Sequence, residues 1–497
     1  MPRLSDRRHL LPGAAAFAGA VLVALLGLRA GADEPAPPPP AGTVELQLLG
    51  VNDFHGNLEP PQPGLGGAAW LGAHLARAAR SHPERTITVH AGDMVGASPL
   101  VSSYFHDEPA IEATNRMGFD VGTVGNHEFD EGGAELLRLL RGGRRTDGRR
   151  PETSDPDWGG VRYPYIAANT IDRATGEPIL PPYEVVARQG VRVGFIGVTT
   201  EDTPTWLLPQ YRRPYRFTDI SDAVNRWVPE LRRRGIEAIV VLAHSGAFQK
   251  GTMAAGEIVD ETEQMDDAID VVIAGHTHSR LNLTVDGKLV VESEAYGTGY
   301  DQVTMTVDRT TGDVVSKSAL LAPTVHAGIA PDPELARFVD TYVRRVAPVG
   351  NRVVGNLDRP FDTDGLGRLA AEAQREFAGA DVAFVNEGNT RRPGLDAGPV
   401  TYAEAFLVHA YEHPVVRMRM RGDDLLAILA ERGGVRLYTS GVDAIEPSGT
   451  YTVAVNGVLA ASERFTAFRR GWDRRVAGTD LEALVAWLTR HRPAVQG

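Results

Sequence analysis

Val51-Asn52-Asp53-Phe54-His55-Gly56-Asn57-Leu58 follows the apolar run Val44–Val51, which predicts a β-strand. Asp53 and His55 lie two positions apart in an extended exit from that strand, so both side chains point to the same side. A carboxylate beside an imidazole suits a borderline divalent cation. Because the carboxyl ends of strands in an α/β sheet meet at one edge, where ligands bind, this stretch predicts a metal site at a sheet edge.

Four further motifs carry ligands of the same kind, and each follows its own run of β-forming apolar residues. They are Gly92-Asp93, Gly125-Asn126-His127-Glu128, His244 in Leu-Ala-His-Ser-Gly, and Gly275-His276-Thr277-His278. Asp93 is the natural bridging carboxylate, because two metal ions roughly 3.5–4 Å apart need one. The predicted cofactors are therefore two divalent metal ions, with Zn, Mn, Fe and Co all left open. Their predicted ligands are Asp53, His55, Asp93, Asn126, His244, His276 and His278.

Two cations in such a site polarise phosphoryl oxygens and generate a hydroxide at neutral pH, so the motifs predict phosphoester hydrolysis by hydroxide attack. His127 stands beside Asn126 without needing to be a ligand, and its imidazole can offset charge that develops in the transition state. Asp130 is placed to hold the His127 ring nitrogen and fix its tautomer. The alternative role for Asp130 is to cap the following helix.

The first 32 residues have the features of a cleavable export signal. Three arginines precede the apolar stretch Ala14–Leu28, and Ala30-Gly31-Ala32 offers a cleavage site. A twin-arginine export route is compatible with residues 5–11. The alternative is a retained anchor, but the apolar run is shorter than the roughly 20 residues that a spanning helix needs. We therefore expect a secreted or cell-envelope protein without a stable membrane span, with a proline-rich spacer over residues 33–42.

Composition limits the remaining possibilities. The chain has no cysteine, which excludes disulfides and thiolate catalysis and leaves any metal to nitrogen and oxygen ligands. The net charge of −13 argues against a general nucleic-acid footprint, which would need a basic stripe. The expected partner is a nucleotide or another small phosphoester rather than a nucleic acid, and the oligomeric state is left open.

Strands alternate with amphipathic helices from residue 44 to about residue 325, which predicts an α/β fold. Predicted helices include Ala68–Arg80, Ile111–Met117, Ala134–Leu140 and Ala223–Arg234. A capped helix over residues 335–346 predicts a connection to a second α/β unit. The predicted domains are residues 43–325, a linker helix within 326–350, and a substrate-binding domain over 351–497.

This ordered set of motifs resembles the calcineurin-like metallophosphoesterases, specifically the secreted bacterial 5′-nucleotidase, UDP-sugar hydrolase and 2′,3′-cyclic phosphodiesterase family. The resemblance implies a four-layer αββα metallophosphoesterase sandwich followed by a smaller α/β domain that can swing over the site. It implies one metal on Asp53, His55, Asp93 and His278. It implies the other on Asp93, Asn126, His244 and His276.

The resemblance is weaker in the second domain. Asn386 and Arg391 keep the spacing of a family motif, but Asn389 replaces its second glycine. Tyr411 stands where the family has a phenylalanine, and Ala461-Ser462-Glu463-Arg464 replaces an expected Gly-Gly-Asp-Gly before Phe465. Asn386, Arg391, Tyr411 and Phe465 are the predicted substrate-binding residues, although the two aromatics could instead be core residues.

The resulting hypothesis is an exported 5′-nucleotidase-like phosphohydrolase, for which cyclic nucleotides and UDP-sugars are further candidate substrates. Two alternatives remain at this stage. One is a thiosulfohydrolase of the same fold, and the other is a non-catalytic extracellular metal-binding protein.

Overall fold

The computed structural model describes residues 40–146, 150–390, 394–431 and 435–491. The predicted export signal, most of the proline-rich spacer and Arg391 lie outside these ranges. Within them, no helix combines the length and apolarity needed to cross a membrane.

Two six-stranded sheets and two short strand pairs precede residue 325. The strands are β1 (Thr43–Val51), β2 (Thr86–His90), β3 (Val121–Thr123), β4 (Tyr165–Ile166), β5 (Thr170–Asp172), β6 (Tyr183–Arg188), β7 (Val191–Thr199), β8 (Tyr215–Phe217), β9 (Ala238–His244), β10 (Phe248–Lys250), β11 (Met253–Ala255), β12 (Val271–Ile273), β13 (Leu281–Val285), β14 (Lys288–Glu292), β15 (Gly299–Asp308) and β16 (Val314–Pro323). The central strands are buried on both faces, which explains why β9 reads as the nearly continuous apolar run Ala-Ile-Val-Val-Leu-Ala-His.

The first sheet has the strand order β16-β15-β1-β2-β3-β4, and the second has the order β13-β14-β12-β9-β7-β6. Strands β1 to β4 are mutually parallel, as are β7, β9, β12 and β14. The parallel strands of each sheet therefore present their carboxyl ends along one edge, where the predicted ligands follow.

Helices cover the outer faces of both sheets. Those before residue 325 are α1 (Ala68–Arg80), α2 (Leu100–Ser103), α3 (Glu108–Met117), α4 (Gly133–Arg141), α5 (Thr203–Trp206), α6 (Pro209–Arg212), α7 (Ile220–Arg233) and α8 (Glu257–Gln264). One buried apolar cluster joins the two sheets, for example through Leu48, Val89, Phe195 and Val240. Separate clusters join the first sheet to α1, α3 and α4, and the second to α7 and α8. The predicted αββα layering is confirmed.

A second α/β unit occupies the last part of the chain. Its strands are β17 (Val353–Leu357), β18 (Phe361–Asp362), β19 (Val382–Asn386), β20 (Gly394–Leu395), β21 (Gly398–Thr401), β22 (Pro414–Arg421), β23 (Leu437–Ser440), β24 (Thr450–Asn456) and β25 (Trp472–Thr479). The helix before it is α9 (Pro333–Gly350), and its own helices are α10 (Thr363–Ala378), α11 (Tyr402–Val408), α12 (Gly422–Ala430), α13 (Gly457–Ala460) and α14 (Asp480–Arg490). Five strands form its main sheet, in the order β23-β19-β24-β22-β25.

Helix α9 packs against α1, α2 and α3 of the first α/β unit and against α11 of the second. Its N-terminus is capped by Asp332, whose side chain accepts hydrogen bonds from the amides of Glu334 and Leu335. Leu335 and Val346 of α9 lie in one apolar cluster with residues of both α/β units. Helix α9 thus lies within the region where the connecting helix is predicted, and it packs against both α/β units.

The segment Gly142 to Gly160 reads as a surface insertion in the sequence, but the structure anchors it. The guanidinium of Arg145 is buried and bonds the carboxylate of Glu131 and the ring of His106. Trp158 is also buried, and its indole N–H donates to the carbonyl of Leu139. Composition rich in Gly, Arg, Asp and Pro does not reveal these buried contacts, which are formed by the described residues of the segment.

Candidate active site

The seven predicted metal ligands lie at the carboxyl ends of parallel strands from both sheets. Asp53 and His55 follow β1, Asp93 follows β2 and Asn126 follows β3. His244 is the last residue of β9, while His276 and His278 follow β12. The two sheets face each other, so ligands that are far apart in the sequence converge on one place.

Asp53, His55 and His278 form one group, with ligand atoms within 4.8 Å of one another. His278 Nε2 is 3.2 Å from Asp53 Oδ1 and 3.2 Å from His55 Nε2. The carboxylate of Asp53 and the imidazoles of His55 and His278 therefore point toward the same small space. Oxygen and neutral nitrogen donors at this spacing suit a divalent cation.

Asp93, His244 and His276 form the second group, again with ligand atoms within 4.8 Å of one another. His244 Nε2 lies 3.0 Å from Asp93 Oδ2 and 3.1 Å from Asn126 Oδ1. Asp93 Oδ2 is also 3.7 Å from His55 Nε2, a member of the first group. Asp93 therefore lies between the two groups, where a bridging carboxylate would have to be.

The surrounding backbone fixes the tautomers of two of these histidines. His55 Nδ1 lies 2.9 Å from the carbonyl oxygen of Gly96, and His244 Nδ1 lies 2.9 Å from that of Ala91. A carbonyl oxygen can only accept, so both Nδ1 atoms are donors. In the neutral rings Nε2 then carries the lone pair that faces the site, an arrangement that is common for metal-bound imidazoles.

Asp53 is fully buried and only half satisfied. Its Oδ2 accepts hydrogen bonds from the side chain of Asn52 at 2.8 Å and from the amide of His276 at 2.9 Å. Its Oδ1 makes no well-formed hydrogen bond within the described residues, although the ring Nε2 of His278 lies 3.2 Å away. A buried carboxylate oxygen without a donor is costly unless a cation or another donor meets it. The residues present therefore fit a metal ion.

Crowding of carboxylates also changes the protonation of His244. Burial by itself lowers the pKa of this imidazole, but the carboxylates of Asp93, Asp53 and Glu128 outweigh burial and raise the pKa to about 10. An excess of negative charge around a buried imidazole is the environment that a bound cation would neutralise.

Five of the seven ligands have left-handed backbone conformations that residues other than glycine rarely adopt. Their φ angles are 49° for Asp53, 46° for His55, 50° for Asp93, 79° for His276 and 53° for His278. Such strain persists only where the surrounding structure enforces it, and it is concentrated at functional sites. Gly92 permits one close approach, since a Cβ there would lie 2.6 Å from the amide nitrogen of Gly125.

Glu128 holds the two central loops together. Its buried carboxylate accepts hydrogen bonds from the amides of Asp93 at 2.9 Å, Met94 at 2.9 Å and Gly125 at 2.6 Å. The loop after β2 is thereby fixed to the loop after β3. The sequence places Glu128 in a motif but gives it no role, because its partners are backbone groups that no sequence pattern identifies.

His127 is directed by Asp130 and is not itself in either ligand group. The ring Nδ1 of His127 lies 2.9 Å from Asp130 Oδ2, and the carboxylate must accept. Helix α4 begins after Gly132 without a side-chain cap, so the alternative in which Asp130 caps this helix is wrong. The His127 and His55 rings are 5.1 Å apart, which places His127 beside the first ligand group.

A cavity of about 510 Å³ opens from His127 toward the second α/β unit. Three of the predicted substrate-binding residues line it, namely Asn386, Tyr411 and Phe465. Phe465 is only 3% exposed and belongs to an apolar core cluster, so it forms the wall rather than a free face. Arg391, the fourth, lies outside the described residues.

The cavity also contains residues that the sequence did not single out. Trp206, which ends α5, is 44% exposed, and its ring lies 6.3 Å from that of His276. Arg464 and His413 also line the cavity, as do the acidic residues Asp202 and Glu387. Arg464 occupies the segment that replaces the glycine-rich turn of the family, so the changed sequence adds a cation to the cavity. In the sequence, Trp206 lies between the Gly125–Glu128 motif and His244. No sequence pattern around it indicates a binding role.

The αββα layers, together with the predicted nitrogen and oxygen ligands at the strand ends, are the arrangement of a metallophosphoesterase domain. Residues 46–280 match the family described as calcineurin-like phosphoesterase. Residues 348–443 match the 5′-nucleotidase C-terminal domain. The chain belongs to the calcineurin-like phosphoesterases that carry this C-terminal domain.

The chain is also similar to other known proteins, among them two relatives and one solved structure. The chain is 34% identical over 85% of its length to Endonuclease YhcR of Bacillus subtilis (strain 168) and spans 38% of that protein. It is 32% identical over 79% of its length to the cell wall protein Lmo0130 of Listeria monocytogenes and spans 56% of it. The crystal structure of a 5′-nucleotidase precursor from Thermus thermophilus matches 90% of this chain and 96% of its own with a TM-score of 0.74 and 22% identity, which shows the shared fold.

Proposed function

We propose that this protein is an exported phosphohydrolase that uses two divalent ions to remove phosphate from nucleotides, with cyclic nucleotides and UDP-sugars as further candidate substrates. The observation that carries the proposal is the position of Asp93 between two groups of buried ligands, with His127 directed at the same place. We also propose the division into residues 43–325, a linker within 326–350 and a substrate domain over 351–497.

The residues fit a pair of metal ions in the arrangement that the family resemblance implies. Asp53, His55, Asp93 and His278 would hold one ion. Asp93, Asn126, His244 and His276 would hold the other. Two such ions, when bound, polarise the phosphoryl oxygens and lower the pKa of the attacking water.

The protein's own groups orient the substrate and carry charge. When its ring carries both protons, His127 can donate from Nε2 to a phosphoryl oxygen, because Nδ1 already donates to Asp130. A positive charge on this imidazole would offset the negative charge that develops as the leaving-group bond breaks. Glu128 holds the loop of Asp93 and the loop of Asn126 in a fixed relative position, because its carboxylate accepts hydrogen bonds from backbone amides of both.

The 510 Å³ cavity supports a nucleotide as the substrate. Trp206 offers an exposed aromatic face to a nucleobase, and Tyr411 and Phe465 line the same space. Asn386 is held by a hydrogen bond from Asn456 Nδ2 at 2.7 Å, and Arg464 supplies a positive charge. Arg391 belongs to the proposed set from its place in the sequence.

Metal analysis and a substrate panel test the proposal together. Purified protein should contain close to two divalent ions per chain and should hydrolyse AMP and bis-p-nitrophenyl phosphate. The panel should include nucleoside di- and triphosphates, cyclic nucleotides, UDP-sugars and a sulfonated carrier. Metal without any phosphoester hydrolysis would favour a binding protein, while activity on the sulfonated carrier alone would favour a thiosulfohydrolase. The N-terminal sequence of protein recovered outside the cytoplasm tests export.

A further inference from the structure

A second cleft, of about 810 Å³, lies beside the substrate cavity, and six of its thirteen lining residues are arginines. The six arginines are Arg173, Arg212, Arg213, Arg216, Arg469 and Arg474. Glu463 is the only acidic residue among the residues that line this cleft. The cleft therefore carries a formal charge of about +5 within a chain whose net charge is −13. A concentration of one charge sign in a concave surface raises the local concentration of ions of the opposite sign.

The hydrogen bonds of these arginines leave their charge largely uncompensated. Arg173 donates to the carbonyl of Tyr215, and Arg474 donates to the carbonyls of Ala460, Phe468 and Gly471. A carbonyl fixes the direction of a guanidinium without neutralising it. Each guanidinium has five N–H donors, so these contacts leave several donors for a ligand.

Glu463 is shared by two of the arginines. Its carboxylate lies 3.6 Å from Arg212 and 3.2 Å from Arg469, and its side chain is 74% exposed. The other four arginines have no ion pair with any carboxylate of the described residues. Arg213 and Arg216 are exposed and lie on either side of the start of β8, so both can reach a ligand.

The same two chain segments form walls of both the arginine cleft and the substrate cavity. Pro204 and Arg212 line the cleft, while Asp202 and Trp206 from the same region line the cavity. In the second α/β unit, Glu463 lines the cleft and its neighbour Arg464 lines the cavity. A ligand longer than a mononucleotide, with one end bound in the substrate cavity, would therefore extend into contact with the arginines of the cleft.

We propose that the arginine cleft binds the phosphodiester backbone of a single-stranded oligonucleotide whose terminal nucleotide occupies the substrate cavity. The choice of ligand rests on the proposed function. If the cavity binds a nucleotide, the simplest longer ligand is an oligonucleotide that ends in that nucleotide. Guanidinium groups match phosphate oxygens in paired hydrogen bonds, and a basic groove is the usual means of following a single strand. The negative net charge excludes a general nucleic-acid surface but not this local one.

Binding should be measured separately from hydrolysis. The probe is a fluorescent phosphorothioate single strand of about 12 nucleotides, a length within the range of single-strand sites, bound to the metal-loaded protein. Affinity is measured by anisotropy across a series of salt concentrations. The test variant is Arg213→Ala/Arg216→Ala. The matched control is Arg232→Ala/Arg233→Ala, which removes the same charge from α7 outside the cleft, where each arginine pairs with a glutamate.

We expect the cleft variant to bind the strand more weakly and to lose about 1.4 from the slope of log affinity against log salt, because two single-strand phosphate contacts are lost. Hydrolysis of AMP by the same variant should be unchanged. Equal losses in the two variants, wild-type affinity in the cleft variant, or no strand binding by the wild-type protein would each overturn the proposal. Tighter binding of inorganic polyphosphate than of a strand with the same number of phosphates would also overturn it. Failure to hydrolyse AMP would instead count against the proposed function.

Discussion

The imidazole of His127 stacks on the phenol ring of Tyr411, with centroids 5.5 Å apart and ring planes 17° from parallel. Tyr411 stacks in turn on His413, at 5.0 Å and 8°. His127 belongs to the loop after β3, whereas Tyr411 and His413 follow α11 in the second α/β unit. The proposed transition-state donor is therefore in direct contact with the proposed substrate-binding unit.

Replacing His127 by alanine should separate catalysis from metal binding. His127→Ala should keep both metals, because the ring belongs to neither ligand group. Turnover should fall by roughly 10²–10³-fold, the loss typical of one transition-state donor. Metal content and turnover per bound metal pair measure the two effects. Loss of metal with unchanged turnover per metal pair would show that His127 is a ligand and not a donor.

Replacing Asp93 should remove metal binding and activity together, unlike replacing His127. Asp93→Ala removes the carboxylate that lies 3.0 Å from His244 and 3.7 Å from His55, so neither group keeps its full set of ligands. We expect paired metal binding and activity to be lost together. Metal content by elemental analysis and hydrolysis of bis-p-nitrophenyl phosphate measure this. A variant that retains two metals would rule out Asp93 as the bridge.

The sequence predicts the fold and the ligand positions because both depend on local patterns. Each predicted ligand lies at or shortly after the end of an apolar strand, and parallel strands bring their carboxyl ends to one edge whatever the details of packing. Helix α1 is predicted with its observed bounds, Ala68–Arg80, since its apolar residues recur with helical spacing. Helix ends elsewhere differ by a few residues, as for α3, which begins at Glu108 and not at Ile111.

The substrate cavity is less predictable because its walls combine distant segments. Asn389 looks like the loss of a family glycine, yet its side chain bonds both His413, 24 positions away, and Asp480, 91 positions away. Trp206 lines the cavity from the first α/β unit, whereas the family resemblance predicts substrate-binding residues only in the second. Phe465 keeps its place in the sequence but is buried, because apolar character alone does not distinguish a stacking face from a core residue.

Trp206 should contribute to nucleobase recognition. Trp206→Ala should raise the KM for AMP far more than the KM for ribose 5-phosphate, which has no aromatic ring to stack, since stacking contributes about 1–3 kcal/mol per base. Trp472→Ala is the matched control, because Trp472 is 43% exposed but does not line the cavity. Steady-state kinetics on both substrates decide the matter. Equal effects on the two substrates would show that Trp206 does not contact the base.

The same kinetics on Tyr411→Ala would test the partly exposed tyrosine of the cavity. We expect its KM for AMP to rise, and its turnover to fall as well, because Tyr411 also stacks on His127. Phe465 is unsuitable for this comparison. A buried phenylalanine replaced by alanine costs about 3–5 kcal/mol of stability, which would obscure an effect on binding.

Asp480 should make the stability of the protein depend on pH. Its carboxyl is fully buried, and burial raises its pKa to about 8 from the usual value of 3.8, against the opposing hydrogen bond from Asn389. Between these two values the folded carboxyl keeps its proton while the unfolded one has lost it. The folded state then binds more protons, so the free energy of unfolding contributed by this group decreases as pH rises through that window.

Asp480→Asn should remove this contribution, because an amide does not titrate over the range. The free energy of unfolding of wild type and variant is measured by chemical denaturation at pH 5 and pH 8. The other buried carboxyl groups contribute equally to both proteins, so comparing the two isolates the contribution of Asp480. We expect wild type to lose more stability than the variant between the two pH values. Identical losses, or a larger loss in the variant, would mean that Asp480 is ionised when folded and paired with His409, whose Nδ1 lies 3.5 Å away.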